Sequence, residues 1–224
     1  MKLIAVRHGE TFENVSGIIQ GQRNGKLTEK GMAQVLKISR ELKNEKIDFI
    51  YSSDLWRTAW TAEHIAAYHP IEVKYSPALR EREFGIFQGK GREEFFDEEM
   101  KSGISRSKYR PKGGESFHDV MKRVKGFMDK TVKNHEGHNV VVVTHGGIIK
   151  SLLALYTRVP VEDIMGMKTR NTGILVMTIK QGKWSVTKNT AVFTKDDVPV
   201  NFGRSRKRRA KTSAAHRKAA VKGN

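Results

Sequence analysis

Two histidines stand at equivalent places in the chain. Arg7-His8-Gly9-Glu10-Thr11 follows the short apolar stretch at residues 3–6, and Thr144-His145-Gly146-Gly147 follows the valine run at residues 140–143. A short apolar run that ends in polar residues reads as a buried parallel strand. Open α/β sheets bind ligands beyond the carboxyl ends of such strands, so both imidazoles are expected to converge on one cleft. Glycine behind each ring is expected to let backbone come close to a ligand. A helix opening at Gly146 would turn free N–H groups toward an anion. A third strand end supplies a cation, because Ile50-Tyr51 leads through Ser52-Ser53 to Arg57 near a helix start. Arg7 and Arg57 form a pair of planar forks that match phosphoryl oxygens. Like charge from both would keep His8 neutral, as an attacking imidazole must be. Residues 79–85 carry two carboxylates, Glu81 and Glu83. On extended chain both would share a side, and either could protonate a leaving oxygen. These groups suit phosphoryl transfer without a metal, since guanidinium groups neutralise the charge.

Each piece alone has a plainer reading. One histidine at a strand end is usually a polar residue at a turn, and one carboxylate in a loop is usually solvated. The ordered set is what carries weight. Arg7-His8-Gly9, Arg57 after Ser52-Ser53, Glu81 before Phe84-Gly85, and Thr144-His145-Gly146 resemble the histidine phosphatase superfamily, phosphoglycerate mutase-like branch, over about residues 1–190. The resemblance implies a three-layer α/β sandwich with a central, mostly parallel sheet. It implies His8 as the nucleophile that forms a phosphohistidine, and Arg7, Arg57 and His145 as holders of the phosphoryl oxygens. Glu81, favoured over Glu83 by its motif position, would be general acid and then base. Asn14, Gln20, Gly21 and Gly146 match further phosphate- and substrate-contacting positions. No cofactor and no metal are implied.

The implied activity is hydrolysis of a phosphomonoester, with a small phosphorylated metabolite such as a sugar phosphate as substrate. Mutase-type transfer is the alternative, and a non-catalytic phosphate- or partner-binding module is a third reading. Residues 86–115 mix bases and acids and show no second-phosphate clamp. The segments at 79–85 and 111–116 resemble sugar-phosphate phosphatases, including fructose-2,6-bisphosphatase-like members.

Several elements must position these groups. Thr28 is placed to cap a helix bearing Met32, Val35, Leu36 and Leu42, and Ser116 one over residues 117–133. Strands are expected at 47–51, 71–75 and 139–143. Helices are expected at 57–68, stopped by Pro70, and at 92–101 and 146–156. Residues 174–179 and 183–188 read as a hairpin about Gln181-Gly182. Residues 86–115 are expected to roof the cleft.

The chain has 224 residues and no cysteine, which excludes disulfides, thiolate metal sites and a cysteine nucleophile. Its net charge of +18 is uneven: residues 204–224 hold nine Lys/Arg and no acid. The reading is therefore a catalytic domain over 1–203 and a basic, disordered tail over 204–224. That tail could meet nucleic acid or another anionic surface weakly, or serve as a nuclear address. No apolar run approaches the roughly 18 residues of a membrane span, and the expectation is a cytoplasmic protein.

Overall fold

The computed structural model describes residues 1–194. The proposed boundary at 203 and the basic run 204–224 lie outside the described residues.

Six strands form the main sheet. In chain order they are β1 (Lys2–Arg7), β2 (Phe49–Ser52), β3 (Val73–Tyr75), β4 (Asn139–Thr144), β6 (Ile174–Lys180) and β7 (Lys183–Asn189), and they lie in the order β3-β2-β4-β1-β6-β7. The first four in that row are parallel, while β6 and β7 add an antiparallel edge. A small ribbon pairs β5 (Lys168–Thr169) with β8 (Val192–Phe193). β4 carries mostly β-branched residues and β1 an aliphatic run from Leu3 to Val6, neither holds Pro or Gly, and both faces are buried, as central parallel strands require.

Alternation then sends successive side chains to opposite layers. Leu3, Ala5, Val140 and Val142 meet α5 (Phe117–Asn134) and α6 (Gly146–Tyr156) on one face. Ile4, Val6, Val141 and Val143 meet α2 (Glu29–Leu42) and α3 (Trp56–Ala66) on the other. Each fully buried aliphatic side chain stabilises this sandwich by roughly 1.5–3 kcal/mol.

Local chemistry sets the element ends. The Thr28 hydroxyl accepts the Gly31 N–H at 2.9 Å. Ser116 and Asp119 form a reciprocal capping box at the start of α5. Gln181 and Gly182, at φ of 49° and 73°, make the tight turn between β6 and β7. Three differences from the sequence reading stand out. β3 is only three residues long and α3 ends at Ala66, before Pro70 acts, because Ala67–His69 already close a tighter turn. α1 (Phe12–Val15), α7 (Val161–Met165) and the β5–β8 ribbon were not anticipated, since elements of two to five residues carry no readable period.

Register does most to build the site. Arg7 pairs with Thr144 in the parallel β1–β4 ladder, so the next residues, His8 and His145, leave adjacent strands side by side. Ser52 pairs with Val143 across the β2–β4 ladder, which brings Ser53 to the same edge. Above that edge lies a cover whose helix α4 (Arg92–Lys101) packs Phe95 against Ile19, Phe87 and Tyr109, apart from the main core. Among the described residues no helix is long and apolar enough to cross a membrane.

Candidate active site

His8 and His145 face each other, with ring centroids 5.2 Å apart and a tilt of 58°. The His8 Nδ1 lies 2.7 Å from the Gly9 carbonyl oxygen. A carbonyl only accepts, so Nδ1 carries the proton, and in a neutral ring Nε2 is left with its lone pair. The ring stays neutral: burial, then Arg57, then Arg7, holds its pKa well below 6.5. Asn171 Nδ2 donates to the His8 carbonyl at 3.1 Å and to Asn14 Oδ1 at 3.0 Å, fixing the backbone beneath the ring.

His145 is fully buried. Its Nε2 lies 3.0 Å from the Ser53 hydroxyl, and its Nδ1 has no partner among the described residues. Burial, then Arg57 and His8, also holds this ring well below its ordinary pKa. It sits behind His8 and does not line the cavity, whereas Arg7, His8, Asn14, Gln20, Gly21, Arg57, Glu81 and Gly146 all do.

The two arginines are committed at one end and open at the other. Arg7 donates from Nη1 to the Thr169 carbonyl at 2.6 Å. Arg57 donates to the carbonyls of Arg23 at 2.9 Å and Gly21 at 2.7 Å, which ties the Gln20–Gly21 loop to α3. The Nε atoms of both are buried and unpartnered among the described residues. Burial lowers each pKa to about 10, so both remain cations at neutral pH. Gln20 donates to Glu13 at 2.6 Å.

Glu81 and Glu83 part company. Glu81 takes the Arg82 N–H at 2.9 Å on Oε1 and the Gly147 N–H at 3.2 Å on Oε2. The start of α6, expected to face an anion directly, therefore holds this carboxylate at Gly147. Glu83 lies off the cavity wall, where its backbone pairs with Glu115. Arg123 anchors the Glu81 loop from α5, donating to Glu115 at 2.8 and 3.0 Å and to the carbonyls of Ala78 at 2.8 Å and Glu81 at 3.0 Å.

The glycines serve the protein rather than an approaching ligand. A Cβ on Gly9 would stand 2.6 Å from the Gly31 carbonyl oxygen, so this glycine seats the His8 loop on α2. A Cβ on Gly147 would stand 2.2 Å from Glu81 Oε1. Sequence reasoning also missed Ser53, Arg123, Thr169 and Asn171, whose partners are remote in the chain.

The cavity measures about 1170 Å³ and is lined by Phe95, Phe96, Met100 and Ile104 from the expected segment 86–115, with Phe84 just before it. Residues 3–191 match the family model of the histidine phosphatase superfamily (branch 1). The chain belongs to that superfamily.

As a histidine phosphatase it has relatives with more than one activity. It is 36% identical to a metal-independent phosphoserine phosphatase of Arabidopsis thaliana, over 83% of this chain and 79% of that protein. It is 31% identical to a probable phosphoglycerate mutase of Cronobacter sakazakii, over 82% of this chain and 87% of the other. Its fold superposes on a mycobacterial glucosyl-3-phosphoglycerate phosphatase in complex with VO3, with a TM-score of 0.75 and 26% identity, over 84% of this chain and 97% of that one.

Proposed function

We propose that this histidine phosphatase hydrolyses phosphomonoesters through a phosphohistidine on His8. The observation that carries the reading is the His8 ring itself. Its proton is committed to the Gly9 carbonyl, its second nitrogen carries a lone pair, and two buried guanidinium groups hold it neutral. Arg7 and Arg57, both on the cavity wall, would draw the phosphoryl oxygens to their guanidinium groups. The His8 Nε2–phosphorus bond forms as the bond from phosphorus to the ester oxygen breaks. Glu81 gives that oxygen its proton and is left as a carboxylate. The carboxylate then takes a proton from water, which attacks phosphorus, breaks the phosphorus–nitrogen bond and releases inorganic phosphate. His145, buried 5.2 Å from the His8 ring and off the cavity wall, would support that ring rather than line the phosphoryl site. Small phosphorylated metabolites are the substrate class, supported by the relatives named as phosphatases.

Water is the acceptor in this reading, because residues 86–115 bring Phe95, Phe96 and Met100 of α4 to the cavity with two arginines, Arg92 and Arg106, the second already paired with Glu99, rather than a dense second-phosphate clamp. Acid-quenched labelling with a phosphomonoester tests the proposal. Wild type is expected to yield a phosphohistidine, and His8→Ala to yield none while folding normally and losing at least about a thousandfold in rate. Wild-type turnover by that variant would end the mechanism. Transfer of the label back to product instead of water would make the protein a mutase.

A further inference from the structure

The chemistry above uses one end of the cavity. Another cation lines the wall beyond it. Lys150 follows Gly146 by four residues on α6, hence one turn along the same helix face. Its ammonium has three donors. Nζ gives one to the Met165 carbonyl at 3.0 Å, its one hydrogen bond among the described residues. No carboxylate pairs with it there.

The surroundings favour a negative group. Burial lowers the Lys150 pKa to about 8, with Arg106, Arg7 and Arg92 adding to the effect and Glu81 opposing it. Of these neighbours, Glu81 already holds two backbone N–H groups, and Arg106 is paired with Glu99 at 2.9 Å. Arg92, at the start of α4, lines the same cavity, and its side chain makes no hydrogen bond or ion pair among the described residues. Once a phosphoryl group lies against Arg7 and Arg57, Lys150 and Arg92 still face the cavity with no ion pair among the described residues.

We propose that Lys150, with Arg92, is the specificity-determining subsite for a carboxylate carried by the substrate about one helical turn, about 5 Å, from its phosphoryl group. The two unspent donors of the ammonium suit the two carboxylate oxygens. The substrate class becomes phosphorylated carboxylic acids rather than phosphorylated neutral alcohols. This rests on the phosphatase reading of the same site. The main cation of this subsite comes from α6, and Arg92 joins it from α4.

A matched pair of probes tests it. 3-Phosphoglycerate and glycerol 3-phosphate differ in having a carboxylate or a hydroxymethyl group at the far end. Each is measured as a competitor of p-nitrophenyl phosphate hydrolysis, which reads binding whether or not the probe is turned over. Wild type is expected to favour the carboxylate by at least about tenfold in Ki. Lys150→Met should bring the ratio close to unity, and Lys150→Arg should restore it. If Lys150 only ties α6 to the end of α7, its loss would weaken both probes equally. An unchanged ratio in Lys150→Met, or no preference in wild type, overturns the proposal. Retained p-nitrophenyl phosphate hydrolysis in His8→Ala would instead overturn the parent reading.

Discussion

The decisive residue-scale feature is how little freedom the groups proposed to react have. His8 is held by a main-chain carbonyl, Arg57 by two, and Glu81 by two N–H groups. Such preorganisation places charge before substrate arrives, so little reorganisation is needed at the moment of reaction. Gly147 is the most exacting of the neighbours, because any side chain there displaces the Glu81 carboxylate. Gly147→Ala is expected to lower kcat/KM by about a hundredfold through a misplaced proton donor, with the fold kept. Steady-state kinetics beside a circular dichroism melt checks this; a fully active variant would show that Glu81 tolerates displacement. The choice between Glu81 and Glu83 was not decidable from residues two apart in an irregular loop. It is decided by Arg123 and Glu115, which arrive from α5 and the preceding loop.

At the scale of elements, the His8 loop and α2 touch backbone to backbone. Gly9 faces the Gly31 carbonyl, and Gly31 in turn leaves room for the Glu10 carbonyl. Gly9→Ala should push α2 away and cost about 1–3 kcal/mol, typical of overpacking. Gly126, on the exposed side of α5, would meet nothing within 4 Å. Gly126→Ala should therefore stabilise by about 0.5–1 kcal/mol through helix propensity alone. Urea-melt midpoints of the two variants should move in opposite directions; movement in the same direction would refute the packing argument. The long elements were legible because each carries its own signal: a cap and a period for α2 and α5, valine runs for β4, a turn pair for the β6–β7 hairpin. The β5–β8 ribbon was not, because two-residue strands owe their existence to a partner elsewhere in the chain.

At the scale of the whole molecule, the site has a cost in stability that depends on pH. Both His8 and His145 are buried neutral, with pKa values held below 6.5 by burial and by the arginines. Unfolded, each ring takes up a proton as pH falls through about 6.5 while the native protein does not, so stability is full above that value and declines below it, by up to about 1.4 kcal/mol per pH unit per ring. The urea midpoint should therefore fall between about pH 7.5 and about pH 5.5, and fall less in His145→Gln. A midpoint independent of pH in wild type would show that the native rings take up protons as readily as the unfolded ones.

Residue types, strand-end positions and helix signals were enough to set the α/β class and most of the elements, and to single out His8, Arg7, Arg57 and the Glu81–Glu83 pair as candidates for one cavity. Those properties are local, or repeat along a few residues, and need no partner to be read. Tertiary structure alone decided the rest. The β1–β4 register set the two rings side by side, and packing left His145 off the cavity wall, laid Glu81 on the start of α6, and brought Lys150 to the same cavity. Each of those outcomes is a distance between groups far apart in the chain, and only packing determines such distances.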